Sequence, residues 1–469
     1  MSLTTARKAG ADVTRRLLAD ARAEIVEDLS AVRTRRQGHR PTRRDPTDLL
    51  LALLLGAVAV LVYGALALRL AHGEYDSVDN LGFDFDPTRT LASVVGWPPD
   101  RQDIKHPFIV LLWPLALPFR AVGLDARQAA GLVMACLGAG TAAMVFALLR
   151  ACRIGRPEAM ALGLLFAVTC TPVFTSIIVD TYAPAAFTIT LTWLVARWRL
   201  DDPACWRLRR FGVAAAVFGV TITNVMQVAV AEGLVFWRQF GIRAVLGRLI
   251  GFGLVAAALV GIIGIAVWPD GLLAAFKHPI HAAKEVYWLQ THGAREGIGQ
   301  LLLTFLGFSF VAPHASVFRL PEGIDMLDFR VLSFGVAGWI ALPAWFAFWA
   351  VGTVAGFRHP GYRPIAVAMA IAIGCNLILH LHYQFRGSLY IYAGHLHVLV
   401  FALGAGLAPW LADAPRARRG AYVACVLALT AFVGANNLAA AAAFVTRFDT
   451  VTVHTEPCQP PCVLLGTAP

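Results

Sequence analysis

Acidic side chains are concentrated in one polar stretch of the chain, residues 72–106. Seven carboxylates lie there, at Glu74, Asp76, Asp79, Asp84, Asp86, Asp100 and Asp103. The run Asp84-Phe85-Asp86-Pro87 alternates carboxylates with an aromatic ring, a few residues before Arg89. A carboxylate packed against apolar surroundings gains basicity, because desolvation disfavours its charged form. Asp86 is therefore predicted to act as a general base, with Asp84 as the competing candidate.

A plainer interpretation of these acids stays open. A loop between apolar segments needs polar residues, so many of the seven are expected to be simply solvated. Asp84 and Asp86 themselves could do no more than cap a helix or solvate the loop. The run Lys105-His106-Pro107 follows them and leads into the apolar segment 107–119, which contains two internal prolines. That segment is too short to cross a bilayer and is predicted to lie at its outer interface.

The elements that carry these residues are predicted to be membrane helices. Of the 469 residues, 58% are hydrophobic and only 15% are charged, whereas a soluble chain carries about 25% charged residues. Leu49 to Leu68 contains no charge over twenty residues, which is about the length needed to cross a bilayer as a helix. Similar segments recur along the chain, so no soluble fold accounts for this composition.

The predicted fold class is all-α: a polytopic transmembrane helical bundle of about 10–11 spans, with short interfacial helices in its extracytoplasmic loops. Residues 211–240 are expected to form one long or two short helices, broken around Thr223-Asn224. The other spans are predicted near residues 48–70, 127–149, 158–178, 183–199, 247–268, 331–355, 363–381, 393–411 and 420–444.

The net charge of +11 is explained by topology rather than by nucleic-acid binding. Residues 1–44 hold eleven Lys or Arg against five acids, and further basic clusters punctuate the apolar segments. Short basic loops between hydrophobic helices are typical of the cytoplasmic side. We therefore expect a multi-pass protein of the inner (plasma) membrane, with a cytoplasmic amino terminus and an extracytoplasmic carboxyl terminus.

This topology divides the chain into three parts. A cytoplasmic basic arm is predicted over residues 1–47, a transmembrane domain over 48–445, and an extracytoplasmic tail over 446–469. The tail carries Cys458 and Cys462, for which a local disulfide is plausible on that side of the membrane. The outer segments of the transmembrane domain are a first loop 72–106, the interfacial helix 107–119, a second loop 269–330 and a third loop 382–394.

The first span, the acidic outer loop and the His106-Pro107-Phe108 step together resemble the GT-C superfamily of integral membrane glycosyltransferases. The resemblance is to the branch of protein O-mannosyltransferases and aminoarabinose lipid A transferases, and it covers roughly residues 48–200. That branch has an acid in the first outer loop and a His-Pro-Pro or Lys-Pro-Pro step after it. The second proline is replaced here by Phe108, which is a departure from the pattern.

The resemblance implies an inverting glycosyltransferase that moves a sugar from a polyprenyl-phosphate donor to a lipid, polysaccharide or protein acceptor. It also implies a second acid near the catalytic loop and a phosphate-binding arginine before a late span. The positions that fit these substrate-binding roles are Lys105, His106, Arg89, Asp180, Tyr182, Arg386 and Tyr390. Asp180 could equally cap the next helix, and Arg386 and Tyr390 could simply anchor a helix at the interface.

A divalent metal ion, which some relatives use, is the one cofactor left open. His380, His382, His395 and His397 cluster at the outer ends of two late helices, and one from each pair could meet across them. Two rival functions also remain, a polytopic transporter and a non-catalytic membrane partner. A transporter usually carries charge near mid-membrane and shows two related halves. Here the acids lie in outer loops and no duplication is visible, which favours an enzyme.

Overall fold

The computed structural model describes residues 45–73, 75–77, 79, 81–96, 106, 108–267, 296–319, 325–382 and 388–448. Outside these residues lie positions 1–44 of the predicted basic arm, positions 269–295 of the second outer loop, and positions 449–469 of the tail with Cys458 and Cys462.

The described chain is built almost entirely from helices. Its α-helices are α1 (Pro46–Leu70), α2 (Pro87–Val95), α3 (Trp113–Ala121), α4 (Ala126–Ala151), α5 (Arg156–Val168), α6 (Cys170–Ile177), α7 (Tyr182–Asp201), α8 (Arg209–Val220), α9 (Val225–Phe240), α10 (Ile242–Val267), α11 (Ile298–Leu303), α12 (Val336–Arg358), α13 (Arg363–His382), α14 (His397–Gly404) and α15 (Arg416–Phe448). Short 3₁₀ or π segments cover Tyr75–Ser77, Ile109–Leu112, Ile222–Asn224, Thr304–Phe308, Tyr390–His395 and Ala405–Leu411.

Six of these helices are long and apolar enough to cross a membrane: α1, α4, α10, α12, α13 and α15. A seventh span results if α5 and α6, which meet at a bend of 56°, are counted together. The counts refer to the described residues. The predicted all-α, multi-pass architecture is confirmed.

The remaining predicted spans have a different local structure. Helix α7 is 20 residues long but carries Thr188 and Thr192, whose hydroxyls donate to carbonyls one turn earlier. The span predicted at 393–411 consists of α14 between two 3₁₀ segments. Residues 211–240 form two helices, α8 and α9, and the break between them covers Thr221 to Asn224. The break therefore lies where the sequence placed it.

Ion pairs gather at one end of the bundle, here called the basic end. Asp48 accepts hydrogen bonds from Arg150 at 3.1 Å and from Arg156 at 2.6 Å. Glu158 pairs with Arg419 at 2.6 Å. These contacts join the start of α1, the α4–α5 connection and the start of α15. The basic end is formed by residues 45–48, 150–158, 197–201, 358–363 and 409–419.

The opposite end, here called the loop end, carries the acidic first loop. It is formed by residues 71–73, 75–77, 79, 81–96, 178–182, 221–224, 325–330 and 388–396. Two short strands, β1 (Ser316–Arg319) and β2 (Asp325–Asp328), pair antiparallel there. Leu327 of β2 also binds the first loop, because its carbonyl accepts from Phe83 N at 2.7 Å and its amide donates to Leu81 O at 3.0 Å.

Small residues let the helices below the loop end approach closely. A Cβ atom at Gly138 of α4 would lie within 1.7 Å of the Ser176 hydroxyl of α6, and one at Gly131 would touch Ala67 of α1 at 3.4 Å. Glycine at such contacts brings the backbones of membrane helices together. This packing fixes the end of α6, and with it the turn that carries Asp180.

Candidate active site

The first loop turns sharply at Phe83 and Asp84, which have φ angles of 54° and 62°. Two consecutive non-glycine residues in the left-handed region are uncommon, and such a conformation persists only when packing holds it. The Phe83 ring supplies that packing. Its aromatic neighbours, with centroids 4.5–5.5 Å away, are Phe174, Phe329, Tyr390 and Phe444.

The turn gives the two candidate bases, Asp84 and Asp86, different solvent exposures. Asp84 is only 5% exposed, whereas the side chain of Asp86 is 27% exposed. Asp86 begins α2, but its carboxylate makes no capping hydrogen bond and instead pairs with Arg89 at 3.1 Å. Asp79 takes the capping role, since it accepts from Thr88 N at 3.0 Å. The carboxylate of Asp86 thus remains at the surface beside a guanidinium.

Asp180 meets the first loop directly. Its Oδ2 accepts a hydrogen bond from the Asp86 amide at 2.8 Å, while Oδ1 accepts from the amide and hydroxyl of Thr181. The N-cap position of α7 belongs to Thr181. The carboxylate of Asp180 therefore joins the α6–α7 turn to the catalytic candidate, 94 residues away in sequence.

Burial is the largest influence on the pKa of the Asp180 carboxyl, because this residue is only 3% exposed. Burial and, after it, the nearby carboxylate of Asp86 raise the pKa of Asp180 to about 6. Arg89 and the two backbone hydrogen bonds act in the opposite direction. A buried carboxyl close to a second carboxylate competes with it for ionisation, which is an arrangement suited to proton transfer.

Asp76 corrects the expectation that the other loop acids are simply solvated. It is only 3% exposed, and burial raises its pKa to about 7 although Arg127 opposes the shift. Arg127 also donates to the carbonyl of Gly73 at 3.0 Å. This carboxyl is therefore buried inside the loop end rather than solvated.

Aromatic and imidazole rings close the site on the side of the third loop. The Tyr182 ring lies edge-on to Phe85 at 5.5 Å and also contacts the His395 ring at 5.2 Å. Gly394 permits this approach, because a Cβ there would lie 3.2 Å from Tyr182. Tyr390 is buried instead, with its hydroxyl 3.0 Å from the sulfur of Cys170. Tyr390 therefore supports the loop rather than anchoring a helix at the membrane surface.

His106 is attached to the break between α8 and α9. Its Nδ1 lies 2.6 Å from the carbonyl oxygen of Val220, and since a carbonyl only accepts, Nδ1 is the donor. Phe108 follows with a backbone bond to Gly219 at 2.8 Å. Gln227 lies on α9, just after the break, and donates to the carbonyl of His395 at 3.1 Å. The break thus links the His106 step to the third loop.

Most predicted site residues converge at the loop end. Asp84, Asp86, Arg89, Asp180 and Tyr182 form one contiguous group, with His106 attached through the helix break. Lys105 and Arg386 lie outside the described residues.

Asp328 is a buried carboxylate of the loop end that the sequence did not single out. It accepts from Ser388 Oγ at 3.0 Å and from Arg330 Nε at 2.9 Å. Burial raises the pKa of Asp328, and Arg330 opposes the shift. The contact with Ser388 fixes the third loop to the hairpin. A sequence signal existed in Pro321-Glu322-Gly323, whose residue types predict a turn but do not identify the strands on either side.

Two of the four histidines considered for a metal ion, His380 and His397, are packed against aromatic rings. Within the described residues, no group of three or more His, Cys, Asp or Glu side chains is placed to hold one. The His380 ring stacks on Tyr392 at 4.3 Å. The His397 ring stacks on Phe310 at 4.1 Å, with Nε2 2.8 Å from the Thr169 hydroxyl. Packing accounts for these rings, and no chemical step is assigned to a metal.

Comparisons with known proteins find a distant structural neighbour and no sequence relative. No protein-family model and no curated protein matches the chain. The solved structure of the Archaeoglobus fulgidus oligosaccharyltransferase, tethered through a disulfide bond to an acceptor peptide containing the NVT sequon, aligns with a TM-score of 0.40 and 13% identity. The alignment covers 84% of this chain and 55% of that one, so this chain spans about half the length of that structure. At this level of similarity, the function rests on the site itself.

Proposed function

We propose that the chain is a membrane glycosyltransferase that transfers a sugar from a polyprenyl-phosphate donor to an envelope acceptor on the extracytoplasmic face. The observation that carries the proposal is the hydrogen bond from the Asp86 amide to Asp180. It joins the acidic first loop to a second acid from the α6–α7 turn, as the resemblance to the GT-C superfamily implies.

Asp86 is the general base in this proposal. An incoming nucleophile can reach it, because its side chain is 27% exposed while Asp84 and Asp180 are buried. Its backbone is fixed by Asp180 and its carboxylate is oriented by Arg89 at 3.1 Å. A base held in one orientation contributes more to the rate than a freely rotating one, since the geometry is set before reaction. Asp84, enclosed by the turn, supports the loop.

The reaction is a displacement at the anomeric carbon. A hydroxyl or amide of the acceptor loses its proton to Asp86 and forms a bond to that carbon. The bond from the carbon to the donor phosphate breaks, and its electron pair leaves with the lipid phosphate. Cationic and N–H groups stabilise that departing charge. Arg89 lies beside the base at 3.1 Å, and His106, Lys105 and Arg386 are proposed to complete this group.

The placement of the site is consistent with chemistry outside the cytoplasm. The basic end carries the arginines that mark cytoplasmic loops, and the acidic group lies at the opposite end. A polyprenyl chain dissolves in the bilayer and can present its phosphate and sugar at the height of the loop end. Lipid, polysaccharide and protein acceptors all occur on that side.

A transporter remains the second candidate because of the break between α8 and α9. Asn224 in that break is 1% exposed, and neither atom of its side-chain amide has a hydrogen-bond partner in the described part of the chain. Broken helices with polar groups commonly line substrate pathways in transporters. The Asn224 observation concerns one segment, whereas the site brings together two acids, Arg89 and Tyr182 from two distant segments, residues 86–89 and 180–182.

The experiment is sugar transfer by the full chain reconstituted into liposomes with a panel of radiolabelled polyprenyl-phosphate sugars. Membrane extracts supply the lipid, polysaccharide and protein acceptors. Consumption of one donor with label appearing in an acceptor is the expected result. If every donor remains intact and a labelled solute instead accumulates inside the liposomes, the enzyme proposal is wrong and the transporter replaces it.

A further inference from the structure

A cavity of about 350 Å³ lies at the basic end, remote from the acidic group. It is enclosed where the ends of α4, α7 and α9 meet the α12–α13 turn and the segment before α15. Its lining includes Arg153, Arg197, Arg238, His359 and Asp413. This volume is within the range of small-molecule sites, about 300–1,000 Å³. The sugar-transfer proposal makes no use of this cavity.

Two guanidinium groups in the lining have no anionic partner. Arg197 is paired with Asp201 at 2.8 Å, so its charge is already compensated. Arg153 and Arg238 form no ion pair within the described residues, and both are exposed residues of the lining. Asp413 is the one unpaired acid of the lining. The uncompensated charge is therefore positive, and it favours an anion that presents a further donor to Asp413.

The backbone holds Arg153 in an uncommon conformation. Its φ angle is 64°, in the left-handed region that glycine and asparagine adopt far more readily than arginine. A strained residue of this kind is a reason to look for function at its side chain. The conformation also offers an experimental advantage, because asparagine can replace Arg153 without adding strain.

An exposed tryptophan beside the cavity indicates that it lies near the membrane–water interface. Trp410 lies beside it with 49% of its surface exposed, and its ring meets His359 edge-on at 5.1 Å. Exposed tryptophans are enriched at membrane–water interfaces. Apolar residues, among them Leu200 and Ile365, share the lining with the arginines. A ligand with a phosphate and an adjoining apolar chain matches these walls.

We propose that this cavity binds the phosphate of a membrane phospholipid at the basic end of the bundle. Arg153 and Arg238 contact the phosphate oxygens, and Asp413 accepts a hydrogen bond from a hydroxyl or ammonium group of the same headgroup. The site is independent of sugar transfer and requires no chemical step. Basic pockets between membrane helices bind anionic lipid headgroups by the same electrostatics.

The test is native mass spectrometry of the full chain titrated with phosphatidylglycerol, with diacylglycerol as a lipid that lacks the phosphate. The cavity variant combines Arg153→Asn with Arg238→Gln. The matched control combines Arg416→Gln with Arg418→Gln, which removes two exposed charges from the same end but outside the cavity. Inorganic phosphate is added as a competitor in a separate arm. Thermal unfolding of each variant is measured alongside.

The parent should bind phosphatidylglycerol and not diacylglycerol, and the cavity variant should bind it about thirtyfold more weakly. The control variant should stay within about twofold of the parent. If the cavity variant unfolds early, Arg238→Gln alone should still weaken binding about fivefold. An equal loss of phosphatidylglycerol affinity in both double variants would show that surface charge alone explains the binding, and it would refute the proposed site. Displacement of the lipid by inorganic phosphate at equal concentration would overturn the lipid assignment.

Discussion

Replacing Asp180 with asparagine removes a carboxyl that the folded protein holds almost completely out of water. Its pKa is about 6 in the folded protein, against an ordinary value of 3.8. Ionising this group at neutral pH therefore lowers the free energy of unfolding by about 3 kcal/mol. The asparagine variant is free of that cost, because its amide does not ionise.

The pH dependence follows from the direction of the shift. Below pH 3.8 the carboxyl is protonated in both states, so it has no effect on stability. Between pH 3.8 and 6 the unfolded chain ionises while the folded protein keeps its proton, and the cost grows. Above pH 6 the cost is complete. Asparagine also loses one of the hydrogen bonds that Asp180 accepts from Asp86 and Thr181, about 1 kcal/mol at every pH.

The Asp180→Asn variant should therefore be about 1 kcal/mol less stable than the parent near pH 4 and about 2 kcal/mol more stable near pH 7. Its sugar transfer should fall, because the amide cannot act as a charged partner of the first loop. Thermal unfolding of both proteins in one detergent, measured from pH 4 to 8, gives the difference directly. A difference that is constant with pH, or that falls as the pH rises, would refute the reasoning.

Two further predictions concern a buried ion pair, at Glu232, and a close packing contact, at Gly82. Glu232 is buried and pairs with Arg199 at 2.7 Å and Arg210 at 3.0 Å, so Glu232→Gln should lower the free energy of unfolding by about 3–5 kcal/mol. Denaturant titration of the purified protein measures this loss. Gly82→Ala should cost about 1–3 kcal/mol, because its Cβ would lie 2.8 Å from the Phe444 ring. Thermal unfolding and sugar transfer should decline together in that variant.

Each of these variants has a matched control elsewhere in the chain. Glu296→Gln breaks an ion pair whose acid is 30% exposed and whose arginine, Arg330, keeps Asp328 as a partner, so it should change stability by less than about 1 kcal/mol. A Cβ at Gly420 meets nothing within 4 Å, so Gly420→Ala should be neutral or slightly stabilising. If the controls lose as much stability as Glu232→Gln and Gly82→Ala, burial and close packing are not the cause.

The long apolar helices and the break between α8 and α9 could be predicted from the sequence. Apolar length located the membrane helices, as the positions of α1, α4 and α13 show. The break near Thr223 and Asn224 was also predictable, since a polar pair interrupts an otherwise apolar segment. The acidic loop and the separate acid at Asp180 were visible as residue types. Their hydrogen bond was not, because nothing in local periodicity brings residues 94 positions apart together.

The packing around the site could not be predicted, because it depends on tertiary contacts between distant segments that leave no local pattern in the sequence. The ring of Phe83 is held by Phe174, Phe329 and Phe444, which come from three distant segments. The bridge from Phe83 to Leu327 likewise joins a loop to a strand of four residues. Strands of that length give too few alternations to be recognised. The exposure that separates Asp84 from Asp86 follows from these contacts, so the sequence left the two as competitors.

The most direct test of the account is the transfer rate of Asp86→Asn beside Asp48→Asn, with the donor that the parent consumes. Asparagine keeps the size of the side chain and removes its basicity. We predict a fall of about 10²–10⁴-fold for Asp86→Asn and a near-parental rate for Asp48→Asn, whose carboxylate lies at the basic end. Parental activity in a well-folded Asp86→Asn protein would contradict the assignment of Asp86 as the base.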